Sequence, residues 1–166
     1  KAKLEDSERQ LVGFARKEQI ISVDDKQNTV SQNLGATNAA LAEAEKKRIA
    51  AEAAYRQVMG ARGQGLSQIL DSKIIQTLKE TKAKLETQYQ ENLNIYKPAY
   101  PTMVQLRGQI GQVDAMINQE INNIRAAVTA SYEAARAEEA LLRGRMDQLK
   151  QDVLSLQDRS IQLNIL

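Results

Sequence analysis

Cysteine and histidine are both absent from this 166-residue sequence. Their absence excludes thiol nucleophiles, disulfides, imidazole acid–base catalysis and the zinc sites that are built from these two side chains. Tryptophan is absent as well, and phenylalanine occurs only once. Because a globular core of this size usually depends on aromatic rings, their shortage argues against a compact globular domain.

Long hydrophobic runs are also missing. No stretch of about 18 apolar residues occurs, and the first ten residues are rich in charge, so neither a membrane-spanning helix nor a signal peptide is visible. The chain starts within a helical pattern and ends on Asn164, Ile165 and Leu166. We therefore expect it to be an excised fragment of a longer protein.

Charge of one sign is not concentrated in any part of the chain. The 23 basic and 21 acidic residues alternate, for example over 43–48 and 136–145. Binding to nucleic acid or to a membrane surface needs a concentrated positive face. The mixed pattern is typical of solvated helix faces with ion pairs one turn apart, so we predict no nucleic-acid partner.

The residues that are plentiful, chiefly Ala, Leu, Gln and Glu, give the composition of long packed helices. The longest uninterrupted pattern follows Pro101, and it predicts one amphipathic helix over 101–164. At about 1.5 Å per residue this helix would be roughly 95 Å long, so other helices must cover it. Its predicted inner positions are Leu106, Ile110, Val113, Ile117, Ile121, Ile124, Val128, Ala135, Leu142, Met146, Leu149, Val153, Leu156 and Leu163.

Two helices are predicted in the first part of the chain. The pattern of a short helix over about 2–19 breaks at 20–23, where Ser22 followed by Asp25 resembles a capping box. A second helix is therefore expected over about 24–59. The predicted inner face of the first helix is Leu4, Leu11, Phe14 and Ile21. The predicted inner face of the second is Val30, Leu34, Leu41, Ala44, Ala51, Tyr55 and Val58.

A glycine-rich stretch at 60–65 is expected to end the second helix, with Gly60 as its C-terminal cap. It is not predicted to bind phosphate, since no Lys-Ser/Thr pair follows and no hydrophobic strand precedes it. A third helix is predicted over about 72–95. Its predicted inner positions are Ile74, Leu78, Leu85, Tyr89 and Leu93.

Two prolines, Pro98 and Pro101, place a hairpin tip at 96–101, because proline disfavours helical geometry in the residue before it. The short tip lets the preceding helices run against the helix at 101–164. We therefore predict an all-α fold, a long antiparallel coiled-coil hairpin that forms a single domain over 1–166. The first helix would pack as a third helical strand of the coiled coil, near the end of the hairpin that lies opposite the tip.

Carboxylate pairs occur at Asp24–Asp25 and Glu138–Glu139. Acid–base catalysis or cation binding needs such groups to converge in a pocket with shifted pKa values. Neighbouring residues on a helix point about 100° apart, so we predict no catalytic, metal or cofactor site and no enzymatic activity. The aspartate pair is expected to favour a helix start through the helix dipole.

The predicted tip contains the candidate contact residues Tyr96, Lys97 and Tyr100. Exposed tyrosines on a projecting loop suit contact with a protein partner or a sugar. In the alternative interpretation, the two tyrosines fold over the last layer of the hairpin core.

Residues 96–106, Tyr-Lys-Pro-Ala-Tyr-Pro-Thr-Met-Val-Gln-Leu, are followed by Gln109 and Ile110. They resemble the Tyr-x-Pro-x-His/Tyr-Pro-x-Met/Val-x-x-Leu segment of the chain-length-determinant family. These are the bacterial polysaccharide co-polymerases, including the Wzc and GumC type of exopolysaccharide transport proteins. Two further stretches, 4–41 and 131–150, follow the family pattern in the same order.

The resemblance implies the periplasmic coiled-coil region of a bacterial inner-membrane protein with a transmembrane helix on each side. Such proteins form homo-oligomeric rings that help set polysaccharide chain length. Their expected partners are the polysaccharide polymerase and an outer-membrane polysaccharide export protein, with a glycan as a further candidate. Some members add a tyrosine-kinase domain, whose phosphate-binding motif is absent from this chain. No catalytic residue of the family is carried over.

Two other interpretations of a helical hairpin stay open at the level of sequence. One is the α-helical hairpin of a periplasmic efflux adaptor, which also projects toward an outer-membrane channel. The other is a membrane-binding helical bundle, which would require a net-basic concave face.

Overall fold

The computed structural model describes residues 1–60 and 67–165. Within these two ranges every regular element is an α-helix and no strand occurs. The prediction of an all-helical chain is therefore confirmed. The helices are α1 (Ala2–Met59), α2 (Ser67–Leu70), α3 (Lys73–Asn92) and α4 (Pro101–Ile165).

Helix α1 is continuous from end to end, so the predicted division into helices at 2–19 and 24–59 is wrong. Ile20 is half-buried and Val23 is buried, and their spacing continues the inner series of the downstream segment. Ser22 is an exposed interior residue of α1 rather than a cap. The prediction that the first helix packs as a separate third helical strand of the coiled coil is therefore wrong as well.

In the first turns of α1, the side of the helix that faces inward is not the side that was predicted. The inner series starts at Arg16 and Ile20, on the opposite side of the helix from the residues that were expected to be inside. Those residues are exposed by 70% at Leu4, 68% at Leu11, 65% at Phe14 and 56% at Ile21.

Farther along α1, a series of buried or half-buried positions alternates in steps of three and four residues. All seven inner positions predicted for 24–59 belong to this series and are confirmed. The series consists of Arg16, Ile20, Val23, Gln27, Val30, Leu34, Thr37, Leu41, Ala44, Arg48, Ala51, Tyr55 and Val58.

Gly60 follows the last residue of α1, Met59, as predicted for the end of this helix. Its N–H donates to the Arg56 carbonyl at 2.8 Å, and a Cβ at this position would lie only 3.1 Å from the same oxygen. A side chain would therefore crowd the final turn. The remaining glycines of the predicted break, Gly63 and Gly65, lie outside the described residues. The single turn α2 was not predicted.

Helix α3 begins with Ser72 as its N-cap, whose hydroxyl accepts from the Ile75 N–H at 3.3 Å. It ends at Asn92, three residues before the predicted end. Its inner face is set by Ile75, which is 1% exposed, whereas the predicted Ile74 is 58% exposed. Leu93 was also predicted to be inside and is 37% exposed, because it already belongs to the turn.

Helix α4 has the predicted bounds to within one residue. All fourteen of its predicted inner positions are buried or half-buried, which confirms the periodicity argument. The structure adds Met103, Tyr132 and Glu139 to the inner side. Met103 is fully buried and Glu139 is 6% exposed.

The chain divides into two compact units. Unit 1 consists of Lys1–Lys47 and Arg136–Leu166, and unit 2 consists of Arg48–Ala135. In unit 1, Glu45 Oε1 lies 2.9 Å from the Arg143 guanidinium. In the same unit Lys26 lines a groove with Leu156, so later positions of α1 face earlier positions of α4. The two segments of unit 1 are therefore antiparallel.

In unit 2, α3 is antiparallel to the start of α4, because the later α3 residue Tyr89 contacts Arg107 whereas the earlier Lys82 contacts Asp114. Lys82 Nζ lies 2.7 Å from Asp114 Oδ1. In the same unit, Tyr55 of α1 stacks on Tyr132 of α4, with ring centroids 4.6 Å apart. The buried core of this unit consists of Val58, Ile69, Ile75, Val113, Ile117 and Val128.

Candidate docking turn between α3 and α4

The turn that joins α3 to α4 is organised by backbone hydrogen bonds at both ends. The Asn92 carbonyl accepts from the N–H groups of Ile95 and Tyr96 at 3.0 and 2.8 Å. The Tyr100 N–H donates to the Lys97 carbonyl at 3.0 Å. Pro101 is the first residue of α4, a position where its missing N–H costs no helical hydrogen bond. The reversal predicted at 96–101 is therefore present within unit 2.

The turn brings two of the three candidate contact residues together. The rings of Tyr96 and Tyr100 are stacked, with centroids 4.3 Å apart and planes 3° from parallel. Tyr96 is half-buried, while Tyr100 is 45% exposed. Lys97 is exposed between them in sequence. The pair therefore has both a packed partner ring and a solvent-facing ring, and its role as a contact site stays a prediction.

Arg107 ties the turn to both helices, and sequence reasoning did not single it out. Its Nη1 donates to the Pro98 carbonyl at 3.0 Å and to the Tyr89 hydroxyl at 3.2 Å. A hydrogen bond from a charged donor to a carbonyl is stronger than one from a neutral donor. The available signal was weak, because the pairing of Arg107 with Tyr89 depends on the register of two helices.

Exposed apolar residues flank the two tyrosines in sequence. Ile95 is 73% exposed and Val104 is 49% exposed, and Leu93 lies close to them in sequence. Beneath the turn, Met103 is completely buried. A turn with a buried anchor residue and exposed apolar side chains is suited to contact with a protein partner.

Ion pairs support the helices away from the turn. The side chain of Lys82 donates to Asp114, and this hydrogen bond raises the pKa of Lys82. In α1, Arg48 Nη1 lies 2.7 Å from Glu52 Oε2 and Arg56 lies 3.1 Å from Oε1. The hydrogen bond from Arg48, together with the charge of Arg56, lowers the pKa of Glu52.

The two carboxylate pairs do not form a site. Asp24 and Asp25 are exposed inside the continuous α1, so the prediction that they mark a helix start is wrong. Glu138 is exposed, whereas the buried Glu139 accepts from the Arg143 guanidinium at 2.6 Å. Across 1–60 and 67–165, no group of three or more metal-ligating side chains is suitably placed for a metal ion.

None of the helices in the described part of the chain is both long and apolar enough to cross a membrane. Comparison with protein-family models, curated proteins and solved structures found no match to this chain. The fold and the turn define the chain as an all-helical protein with a stacked-tyrosine turn.

Proposed function

We propose that the chain is the periplasmic helical docking region of a bacterial polysaccharide co-polymerase of the chain-length-determinant family. In this role it has no catalytic activity and serves the length control, polymerisation and export of an exopolysaccharide. The expected partners are copies of the same protein, the polysaccharide polymerase and the outer-membrane export protein.

The observation that carries this proposal is the position of the motif at 96–106. The motif lies at the reversal between α3 and α4, and its characteristic residues organise that reversal. Tyr96 and Tyr100 form the ring stack, Pro101 begins α4, and Met103 is fully buried. A motif that supplies the stack, the helix start and the anchor of one turn has a structural reason to occur as a unit.

We further propose that the helices form one long antiparallel coiled-coil hairpin. Steps of three and four residues in the inner series of α1 support this proposal, because that repeat allows side chains of facing helices to interlock. The antiparallel arrangement inside each unit is compatible with it.

The docking role is tested by changing Tyr96 and Tyr100 to Ala in the full-length protein. We expect exopolysaccharide export to fall while helicity and thermal stability stay nearly unchanged, because Tyr100 is exposed and Met103 still anchors the turn. Export is measured as secreted polysaccharide per cell, and helicity by circular dichroism of the purified chain.

The matched control changes Leu141 and Leu154 to Ala. These α4 residues are 75% and 56% exposed, so the control also removes exposed apolar side chains. It differs from the double tyrosine variant because both positions lie outside the turn. We expect normal export from this variant. Normal export from the double tyrosine variant would mean that the tip is only a turn and would contradict the docking role.

A further inference from the structure

A groove of about 370 Å³ lies in unit 1 between α1 and α4. Its floor is apolar, since it includes Val23, which is 8% exposed, and Leu163, which is half-buried. The volume falls within the range of sites that take small ligands, which begins at roughly 300 Å³. The groove is therefore large enough for a small anion or a headgroup.

The rim of this groove consists of hydrogen-bond donors. Lys26 and Arg159 enter it from opposite helices, and Ser22, Gln19 and Gln162 complete the polar lining. Among the described residues, no carboxylate side chain lines the groove. The described lining therefore carries two positively charged side chains and no negatively charged one.

Two ion pairs join facing helices within the described residues. Arg143 lies 2.9 Å from Glu45, and Lys82 lies 2.7 Å from Asp114. Lys26 and Arg159 differ from these pairs, because they are two cations that line one groove from facing helices. An anion in this groove would be attracted by both cations.

Acidic residues occur next to the two cations in sequence and in an adjoining groove. Asp25 and Asp158 are their neighbours in sequence, but consecutive helical residues point in different directions. Asp152 lines an adjoining groove together with Lys26. Neither Lys26 nor Arg159 forms an ion pair within the part of the chain that the structure describes.

The number of donors indicates the class of anion. Lysine offers three N–H donors, arginine five, each glutamine two and serine one. A phosphate group offers several acceptor oxygens and up to two negative charges, and arginine binds it bidentately. A carboxylate has only two oxygens and one charge. We propose that this groove binds a phosphate group, either free in solution or carried by a lipid headgroup.

This site is independent of the proposed function, because it depends only on the lining of the groove. The test titrates the intact chain with inorganic phosphate and with inorganic pyrophosphate by isothermal calorimetry at low salt. In parallel, the chain is sedimented with phosphatidylcholine vesicles that contain or lack phosphatidic acid. We expect saturable binding that weakens as sodium chloride is added.

The decisive variants are Lys26→Gln and Arg159→Gln. Each should lower the affinity about tenfold or more, because each removes a charge-assisted hydrogen bond. Both positions are exposed, and each substitution removes one of two like charges, so helicity should not fall. Arg159→Lys keeps the charge and should retain part of the affinity. Lys47→Gln is the matched control, since it makes the same charge change on an exposed part of α1 outside the groove.

The arms of the experiment distinguish the two sources of phosphate. Binding of free phosphate or pyrophosphate that Arg159→Gln removes and Lys47→Gln keeps supports a soluble ligand. Binding only to phosphatidic acid vesicles, with the same dependence on Arg159, supports a lipid headgroup. The proposal is overturned if neither probe binds, or if Lys47→Gln weakens binding as much as Arg159→Gln, because the attraction would then come from net charge.

Discussion

Lys82 occupies an inner position of α3, and the inner positions on either side of it are Leu78 and Leu85. Its ammonium lies 2.7 Å from the Asp114 carboxylate, and this contact raises the pKa of Lys82. The folded-state pKa thus lies above the unfolded-state value. The stabilising contribution is therefore complete below the ordinary lysine pKa of about 10.4 and is lost as the pH rises through the folded-state value.

This sign is tested with Asp114→Asn and urea unfolding between pH 7 and the alkaline range. The difference in free energy of unfolding between the unchanged chain and the variant should be constant near neutral pH and shrink above the ordinary lysine pKa. The control is Lys46→Gln, which removes an ion pair of 3.4 Å between side chains that are mostly exposed. It should change stability little at any pH. A difference that persists at high pH would contradict the assignment.

Two serines distinguish a helix cap from a helix interior. Ser72 caps α3 and accepts from Ile75, so Ser72→Ala should cost about 1 kcal/mol of unfolding free energy. Ser22 lies inside the continuous α1, where Ala is the better helix former, so Ser22→Ala should be neutral or slightly stabilising. Chemical unfolding followed by circular dichroism measures both. A cost at Ser22 equal to that at Ser72 would restore the helix start predicted after residue 23.

At the scale of elements, α4 depends on an unbroken backbone of 65 residues. Leu142 is a half-buried inner position of this helix, whereas its neighbour Leu141 is 75% exposed. Leu142→Pro should cost about 3 kcal/mol or more, because proline removes a helical hydrogen bond and clashes with the preceding turn. The loss should appear as reduced helicity and a lower melting temperature.

The pair Leu142→Ala and Leu141→Ala separates packing from helix propensity. Both changes introduce the best helix former, but only the first removes apolar contacts with another helix. We expect a measurable destabilisation at 142 and almost none at 141. Equal effects, or a larger effect at 141, would contradict the assignment of Leu142 to the inner face of α4.

The same comparison of elements explains where sequence reasoning succeeded and where it failed. The inner face of α4 was predictable, because a long apolar periodicity averages out single exceptions. The break at 20–23 was wrong because a local capping pattern at Ser22 was given more weight than the inner series that continues through Ile20 and Val23. Ile74 and Ile75 are adjacent and equally apolar, so only packing against the core decided between them.

At the scale of the whole molecule, the proposed long hairpin makes a prediction about size in solution. A compact chain of 166 residues would have a radius of gyration of about 15 Å. A single hairpin built on α4 would be far more extended than that. Small-angle X-ray scattering of the purified chain should give a radius well above the compact value. A value close to it would contradict the hairpin and leave the all-helical assignment intact.

The sequence by itself determined the helical class, the extent of α4 and the reversal before Pro101. These features follow from local properties, namely the spacing of apolar residues and the backbone restrictions of proline. Only the tertiary structure decided the contact of Arg107 with Tyr89 and the lining of the groove by Lys26 and Arg159. Each of these depends on which residues of two distant segments lie at the same level, and helical periodicity within one segment carries no information about that register.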